Sequence, residues 1–279
     1  GLKQQLAARV AKGKLTQADY DATLANLTVV EQIEQLSDRD LVIEAIVEKL
    51  EVKQALFTQL ASICTQETIF ASNTSSISIT AIAAKVPQSQ RVIGLHFFNP
   101  APVMKLVEII CGLQSDVEIA KALYRLMYTW KKVPVNAKST PGFIVNRVAR
   151  PFYAEGLRAL QEQVIRPEAL DYVLRECGGF AMGPCQLTDL IGQDINFSVT
   201  QSVYRAFYDE PRYRPSLVQQ ELVDAGFLGR KTGQGFYNYQ DAQVLPQYVP
   251  ETLNSIAAQH IEVQGTWLAQ PEFIARLKH

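Results

Sequence analysis

The sequence predicts an α/β domain with a doubly wound, parallel sheet, followed by an all-α domain. Short apolar runs alternate with amphipathic stretches from Leu27 to Asn136, the pattern of strands joined by crossover helices. The segment KSTPGF, with Pro141 and Gly142, breaks that alternation. From Phe143 to Phe227 the periodicity is helical throughout.

Taken in order, GLKQQLAARVAKGKL is helical in composition, with Leu2, Leu6 and Val10 on one face. LVIEAIV (41–47) reads as a strand. The helix after it carries Val52, Leu56, Leu60 and Ile63 as its apolar stripe. IFAS (69–72) is a short strand, followed by the polar NTSS and a brief helix that ends by Val86-Pro87. RVIGLHFF and VMKLVEII are apolar and β-branched, and read as two buried strands. A helix over DVEIAKALYRLMYTW and a last strand, VPVN (133–136), complete the alternation. In the helical part, Pro151 is expected to kink the first helix or delay its start. Pro167 sits at a favoured first-turn position, and LTDLIGQDINFSVTQSVYRAFY reads as one long helix. SLVQQELVDAGF reads as another that ends at Gly226, and LGRKTGQGFYNY as a closing loop. These elements divide the chain into residues 1–137, 138–240 and a tail, 241–279.

Composition narrows the function classes. The 279 residues are enough for two domains, and 47% hydrophobic with 20% charged residues is ordinary for a globular protein. A net charge of −1 offers no basic excess for nucleic acid. No apolar run approaches the ~18 residues of a membrane span. Cys64, Cys111, Cys177 and Cys185 stand singly, without zinc-ligand spacing, so neither a metal site nor a disulfide framework is expected. With no signal peptide visible, the expected location is the cytoplasm.

The chemistry is concentrated at His96-Phe97-Phe98-Asn99-Pro100 and at Glu108, twelve residues after the histidine. A histidine at the end of a strand lies at the sheet edge where an open α/β fold binds ligands. Glu108 is a lone carboxylate in an apolar strand and needs a partner from elsewhere. A His–Glu pair satisfies both groups and makes a proton-transfer site. A satisfied core histidine is the other reading of the same residues. The other two histidines, His260 and His279, lie in a polar C-terminal stretch, so histidine chemistry falls to His96.

Six motifs in order extend the argument: VIEAIVEKLEVK, ASNTSSISIT, GLHFFNPAPVMKLVEII, STPGFIVNR, MGPCQLTDLIGQD and GRKTGQGFY. Over residues 27–240 the chain strongly resembles the 3-hydroxyacyl-CoA dehydrogenase family, and within it the bacterial 3-hydroxybutyryl-CoA and 3-hydroxyadipyl-CoA enzymes. The resemblance implies NAD as cofactor, an acyl-CoA substrate and a homodimer formed through the helical domain. It implies His96 as general base, Glu108 as its orienting carboxylate, and Ser75 and Asn146 as hydrogen-bond donors to the substrate oxygens. Glu48, Lys53, Asn73 and Asn99 match positions that line the nicotinamide and ribose side of the cofactor. Read singly, Ser75 is equally a helix cap, Asn146 a surface residue, Glu48 and Lys53 a solvated pair, and Asn99 a strand terminator. Phe197, Val203, Phe207, Leu217 and Leu222 read as the dimer face or as the helical domain's own core.

The family begins with a strand, a GxGxxG turn and a helix, none of which is found here; Gly1 and Gly13 lie outside any such context. The resemblance therefore implies an incomplete Rossmann-type domain, a fragment with bare apolar sheet edges and impaired NAD binding. The tail is expected to be a linker and the start of a second helical copy. A related dehydrogenase of a free sugar acid and a non-catalytic dimerisation fragment stand as the alternatives.

Overall fold

The computed structural model describes residues 2–240 and Tyr248. Two helices, α1 (Leu2–Ala11) and α2 (Gln17–Ala25), lead into a five-stranded sheet of order β1-β2-β3-β4-β5. The strands are β1 (Leu41–Glu44), β2 (Ile69–Ser72), β3 (Val92–Phe97), β4 (Leu106–Cys111) and β5 (Val133–Lys138). Between them lie α3 (Leu50–Ile63), α4 (Ile79–Ala83) and α5 (Val117–Thr129). The first helix forms where expected, but no residue of α1 is buried, so its Leu2/Leu6/Val10 face is not part of the core.

The sheet is mostly parallel, with one departure from the expected all-parallel pattern. β3 and β4 pair antiparallel, His96 opposite Glu108, whereas the other neighbours are parallel. The cause is the short link 98–105, since a parallel pair needs a crossover of a dozen or more residues.

Strand alternation divides the core into two layers. Phe70, Val92 and Ile110 face α3 and α4, packing on Phe57, Leu60, Ile79 and Ile82. Ala71, Ile93, Leu95 and Ile109 face the other way, onto Leu123 and Met127 of α5. Gly94 keeps α4 close to the sheet: a Cβ there would lie 2.8 Å from both Ile110 Cβ and Ile79 Cδ1.

Two sequence expectations shift here. The strand read over 41–47 ends at Glu44, because the chain bends to offer the Ile46 amide to the buried Glu44 carboxylate. On α3 the inward face is Lys53, Gln54, Phe57 and Leu60, and Val52 is 39% exposed. Leu56 and Leu60 of the expected stripe do face the core, and the buried ammonium of Lys53, paired with Glu44, takes the place expected for Val52.

The helical part comprises α6 (Val145–Gln161), α7 (Pro167–Glu176), α8 (Pro184–Ile191), α9 (Gln193–Ala206) and α10 (Leu217–Asp224). α6 runs on through Pro151. The single long helix expected over 187–208 is instead α8 and α9, divided at Gly192, whose φ of +104° no helix accommodates. Phe197 and Val203 are core residues, whereas Leu217 is 62% exposed.

Two buried aspartates hold this part together. Asp171 accepts from the amides of Cys185 (2.9 Å) and Gln186 (2.8 Å) and from the Tyr237 hydroxyl (2.7 Å). Asp189 accepts from Gln193 Nε2 and from the Phe236 and Tyr237 amides at 2.7, 3.0 and 3.0 Å. The Tyr239 hydroxyl completes that set at 3.0 Å. The closing loop is thereby fastened to the helices, and Gly235 is required there because a Cβ would fall 1.9 Å from Asp189 Oδ1. The tail read as a linker lies outside the described residues, apart from Tyr248. Among the described residues no helix is long and apolar enough to cross a membrane.

Asp189→Ala strands several buried donors and is expected to cost about 3 kcal/mol in denaturant unfolding, whereas Glu155→Ala, which breaks an exposed pair with Arg158, costs under ~1 kcal/mol.

Candidate active site

The antiparallel pairing of β3 with β4 sets His96 directly opposite Glu108, on one face of the sheet. His96 Nδ1 lies 2.7 Å from Glu108 Oε2, and both side chains are buried. A carboxylate only accepts, so Nδ1 carries the proton and Nε2 presents a lone pair. That nitrogen lies 3.2 Å from Ser75 Oγ. The rings of Phe98 and Phe143, at 4.6 and 5.8 Å, flank the imidazole.

Glu108's other oxygen faces the helical part. Oε1 accepts from the amides of Ile144 (2.9 Å) and Val145 (3.0 Å), where α6 begins. These amides have no partner within the helix, and the helix dipole favours a negative charge there. Asn146, in the same first turn, donates from Nδ2 to the Ser75 carbonyl (3.3 Å). Ser202 of α9 reaches the same loop through Ser76, hydroxyl to hydroxyl at 3.1 Å.

Glu48 shapes that loop. Its Oε1 accepts from the Thr74 hydroxyl (2.6 Å) and the Ser75 amide (2.9 Å). Burial pushes its carboxyl up, but the Thr74 hydroxyl, the Lys53 ammonium and the Ser75 amide more than offset this and hold it below the ordinary value. Ser75 is therefore not a cap; Ser78 caps α4 by accepting from the Ala81 amide. Lys53 is not half of a solvated pair. It is 1% exposed, with its ammonium 2.5 Å from Glu44 and 3.2 Å from Glu48. Asn73 joins β2 to β3, its Oδ1 accepting from the Phe97 amide at 2.8 Å.

Seven of the eight sequence-derived site residues thus converge. Asn99 is exposed at the start of the link between β3 and β4, outside this network. Sequence reasoning missed Glu44, which also accepts from the Ser72 hydroxyl at 2.6 Å. The signal was present, since Glu44 is a lone carboxylate in an apolar strand, as Glu108 is.

A cleft of about 680 Å³ opens beside these groups at the C-terminal ends of β1 and β2, lined by Ala45, Ile46, Glu48, Asn73 and Ser75 and roofed by α9. Open α/β folds bind ligands at this edge. Residues 1–140 match the family model described as 3-hydroxyacyl-CoA dehydrogenase, NAD binding domain. Residues 142–239 match 3-hydroxyacyl-CoA dehydrogenase, C-terminal domain. The chain belongs to the 3-hydroxyacyl-CoA dehydrogenase family.

Among family members, the 3-hydroxyadipyl-CoA dehydrogenase of Escherichia coli K12 is 57% identical over 240 residues, 86% of this chain and 50% of that protein. A probable 3-hydroxybutyryl-CoA dehydrogenase of Bacillus subtilis 168 is 41% identical, over 86% of this chain and 83% of its own. Of the solved structures, 3-hydroxybutyryl-CoA dehydrogenase from Escherichia coli K12 matches with a TM-score of 0.84 at 56% identity, over 88% of this chain and 52% of that one. The (S)-3-hydroxybutyryl-CoA dehydrogenase of Ralstonia eutropha matches at 0.81 and 40% identity, over 85% and 84%. The chain therefore spans about half the length of the Escherichia coli relatives.

Because Glu48 titrates below its ordinary 4.5, its contribution to stability is complete above that pH and is lost as pH falls through the lower folded value. Acid unfolding followed by circular dichroism is expected to show a shallower loss below pH 4.5 in Glu48→Gln than in the wild type.

Proposed function

We propose that the protein interconverts (S)-3-hydroxyacyl-CoA and 3-ketoacyl-CoA, with NAD as hydride carrier. The observation that carries this reading is the line Ser75–His96–Glu108, in which the imidazole nitrogen opposite the buried carboxylate faces the hydroxyl of Ser75, itself a residue of the cleft wall. In the oxidative direction, His96 Nε2 takes the proton of the 3-hydroxyl. Glu108 keeps the imidazole in that tautomer and stabilises the imidazolium as it forms. Ser75 Oγ and Asn146 Nδ2 stand where they can hold the substrate oxygen, favouring the carbonyl's developing charge in the reverse direction.

The residues at the cleft fit the nicotinamide end of the cofactor: Ala45 and Ile46 offer an apolar wall, with Glu48 and Asn73 beside it. Lys53 reaches this end only through Glu48 and acts as a positioning residue. Asn99 belongs to the same reading as a contact from the β3–β4 link. NAD, when bound, supplies the acceptor for the hydride leaving C3.

The substrate is an acyl-CoA; relatives are named for a hydroxybutyryl and a hydroxyadipyl group, one neutral and one ending in a carboxylate. The division near residues 138–142 into a sheet domain and a helical domain, with substrate between them, is part of the same proposal. So is a homodimer through the helical part, for which the exposed Leu217 and the apolar groove formed with Leu222 and Phe227 supply a surface. A cytoplasmic location follows from four cysteines without disulfide spacing.

NADH loss with acetoacetyl-CoA tests the activity, on this chain and on the chain preceded by a GxGxxG unit. His96→Gln is expected to lower turnover ~10²–10⁴-fold without loss of fold. Undiminished turnover in that variant would remove His96 from the reaction. Leu217→Glu is expected to shift a dimer to monomer in sedimentation, and an unchanged mass would place the interface elsewhere.

A further inference from the structure

Among the described residues, Ser202 makes the one side-chain hydrogen bond that joins α9 to the sheet part of the molecule. Its hydroxyl lies 3.1 Å from that of Ser76, and both residues line the cleft beside Ser75. The polarity of the contact is fixed from the far side. A carboxylate only accepts, so Ser76 Oγ donates to Glu48 Oε1 (3.4 Å) and Ser202 donates to Ser76. A serine or threonine inside a helix can instead return its hydroxyl to the carbonyl four residues back. Thr200 does so, to Asn196 at 2.9 Å, whereas Ser202 commits its hydroxyl to the loop across the cleft.

Ser202 does not act by itself. Asn146, in the first turn of α6, donates to the Ser75 carbonyl at 3.3 Å, one residue before Ser76. The two helices are tied to each other by Arg150, which is 3% exposed. Its Nε donates to the Asn146 carbonyl (3.0 Å), and its Nη1 to the Asn196 carbonyl (3.2 Å) and Thr200 Oγ1 (2.8 Å). Donors held in one rigid plane fix the placement of α6 against α9. Asn146 and Ser202 are therefore two prongs of one unit, set on consecutive residues of the loop that carries the Ser75 hydroxyl.

From the opposite side, Glu48 Oε1 accepts from the amides of Ser75 (2.9 Å) and Ser76 (3.2 Å). Between these supports the Ser75 hydroxyl points at His96, 3.2 Å from Nε2. Without Ser202, the helical unit would grip the loop at the Ser75 carbonyl alone, and the loop could pivot about that bond.

We infer that Ser202 is a positioning residue: through Ser76 it fixes the loop so that the Ser75 hydroxyl meets the oxygen on C3 of the substrate. This rests on the acyl-CoA reading above. A small misplacement of an orienting group weakens the contact it makes, so the loss falls on the 3-oxygen and not on the rest of the ligand.

Calorimetric titration of this chain with acetoacetyl-CoA and butyryl-CoA, which differ only in the 3-oxygen, tests it without turnover. The wild type is expected to bind acetoacetyl-CoA about 10-fold more tightly. Ser202→Ala should cut that preference at least ~3-fold while holding butyryl-CoA affinity within ~2-fold, and Ser202→Thr, which keeps the hydroxyl, should retain it. Ser75→Ala should abolish the preference, and Ser202→Ala added to it should cost nothing more, because the one acts through the other. An unchanged ratio in Ser202→Ala, equal weakening of both ligands, or a further loss in the double variant would overturn the assignment. Equal affinities in the wild type would overturn it too, and would leave the acyl-CoA reading standing. Binding of neither ligand would take down both. If Ser202→Ala does not fold, Ser76→Ala breaks the same bond from its other end and decides by the same ratio.

Discussion

The carboxylate of Glu108 is the constraint from which the rest of the site follows. It is fully buried, so each oxygen must be matched by donors, and the donors come from two different parts of the molecule. One oxygen fixes the imidazole of His96; the other receives the first amides of α6. That shared anchor places Asn146 over the Ser75 loop and Phe143 against the histidine. The antiparallel turn of β4 is what makes this possible, because it brings Glu108 beside His96 with no connecting helix between them.

The same device recurs. Glu44 joins β1 to α3 and β2 through Lys53 and Ser72, and Glu48 gathers the amides of the loop that carries Ser75. In the helical part Asp171 of α7 binds the first amides of α8, and Asp189 of α8 binds the backbone of the closing segment. Carboxylates accepting from donors distant in the chain therefore fasten segments that hydrophobic packing alone would leave free to slide.

Much of this was legible in the sequence. The strands announced themselves as short β-branched runs, and Glu108 as an isolated charge within one. Strand direction was not legible in the runs themselves, because an alternating pattern is the same read either way; the brevity of the 98–105 link carried that information. The stripe on α3 is right at Leu56 and Leu60 and wrong at Val52, because an apolar count ignores a lysine that the fold buries against glutamates. Gly192 inside LIGQD marked a helix break that the surrounding periodicity concealed. Ser75 and Asn146 were readable only as members of a motif set, since a lone hydroxyl or amide has many local uses. Glu44 and Arg150 escaped notice because charged residues within apolar elements pass easily for solvated ones.

The donors at the start of α6 are main-chain groups, and this has a consequence for mutational tolerance. Side chains at Ile144 and Val145 can be exchanged without removing the amides that hold Glu108, provided the replacement is not proline. The side chains at the start of α6 are thus free to drift while the His96–Glu108 pair keeps its geometry, so sequence can change beside the pair without disturbing it.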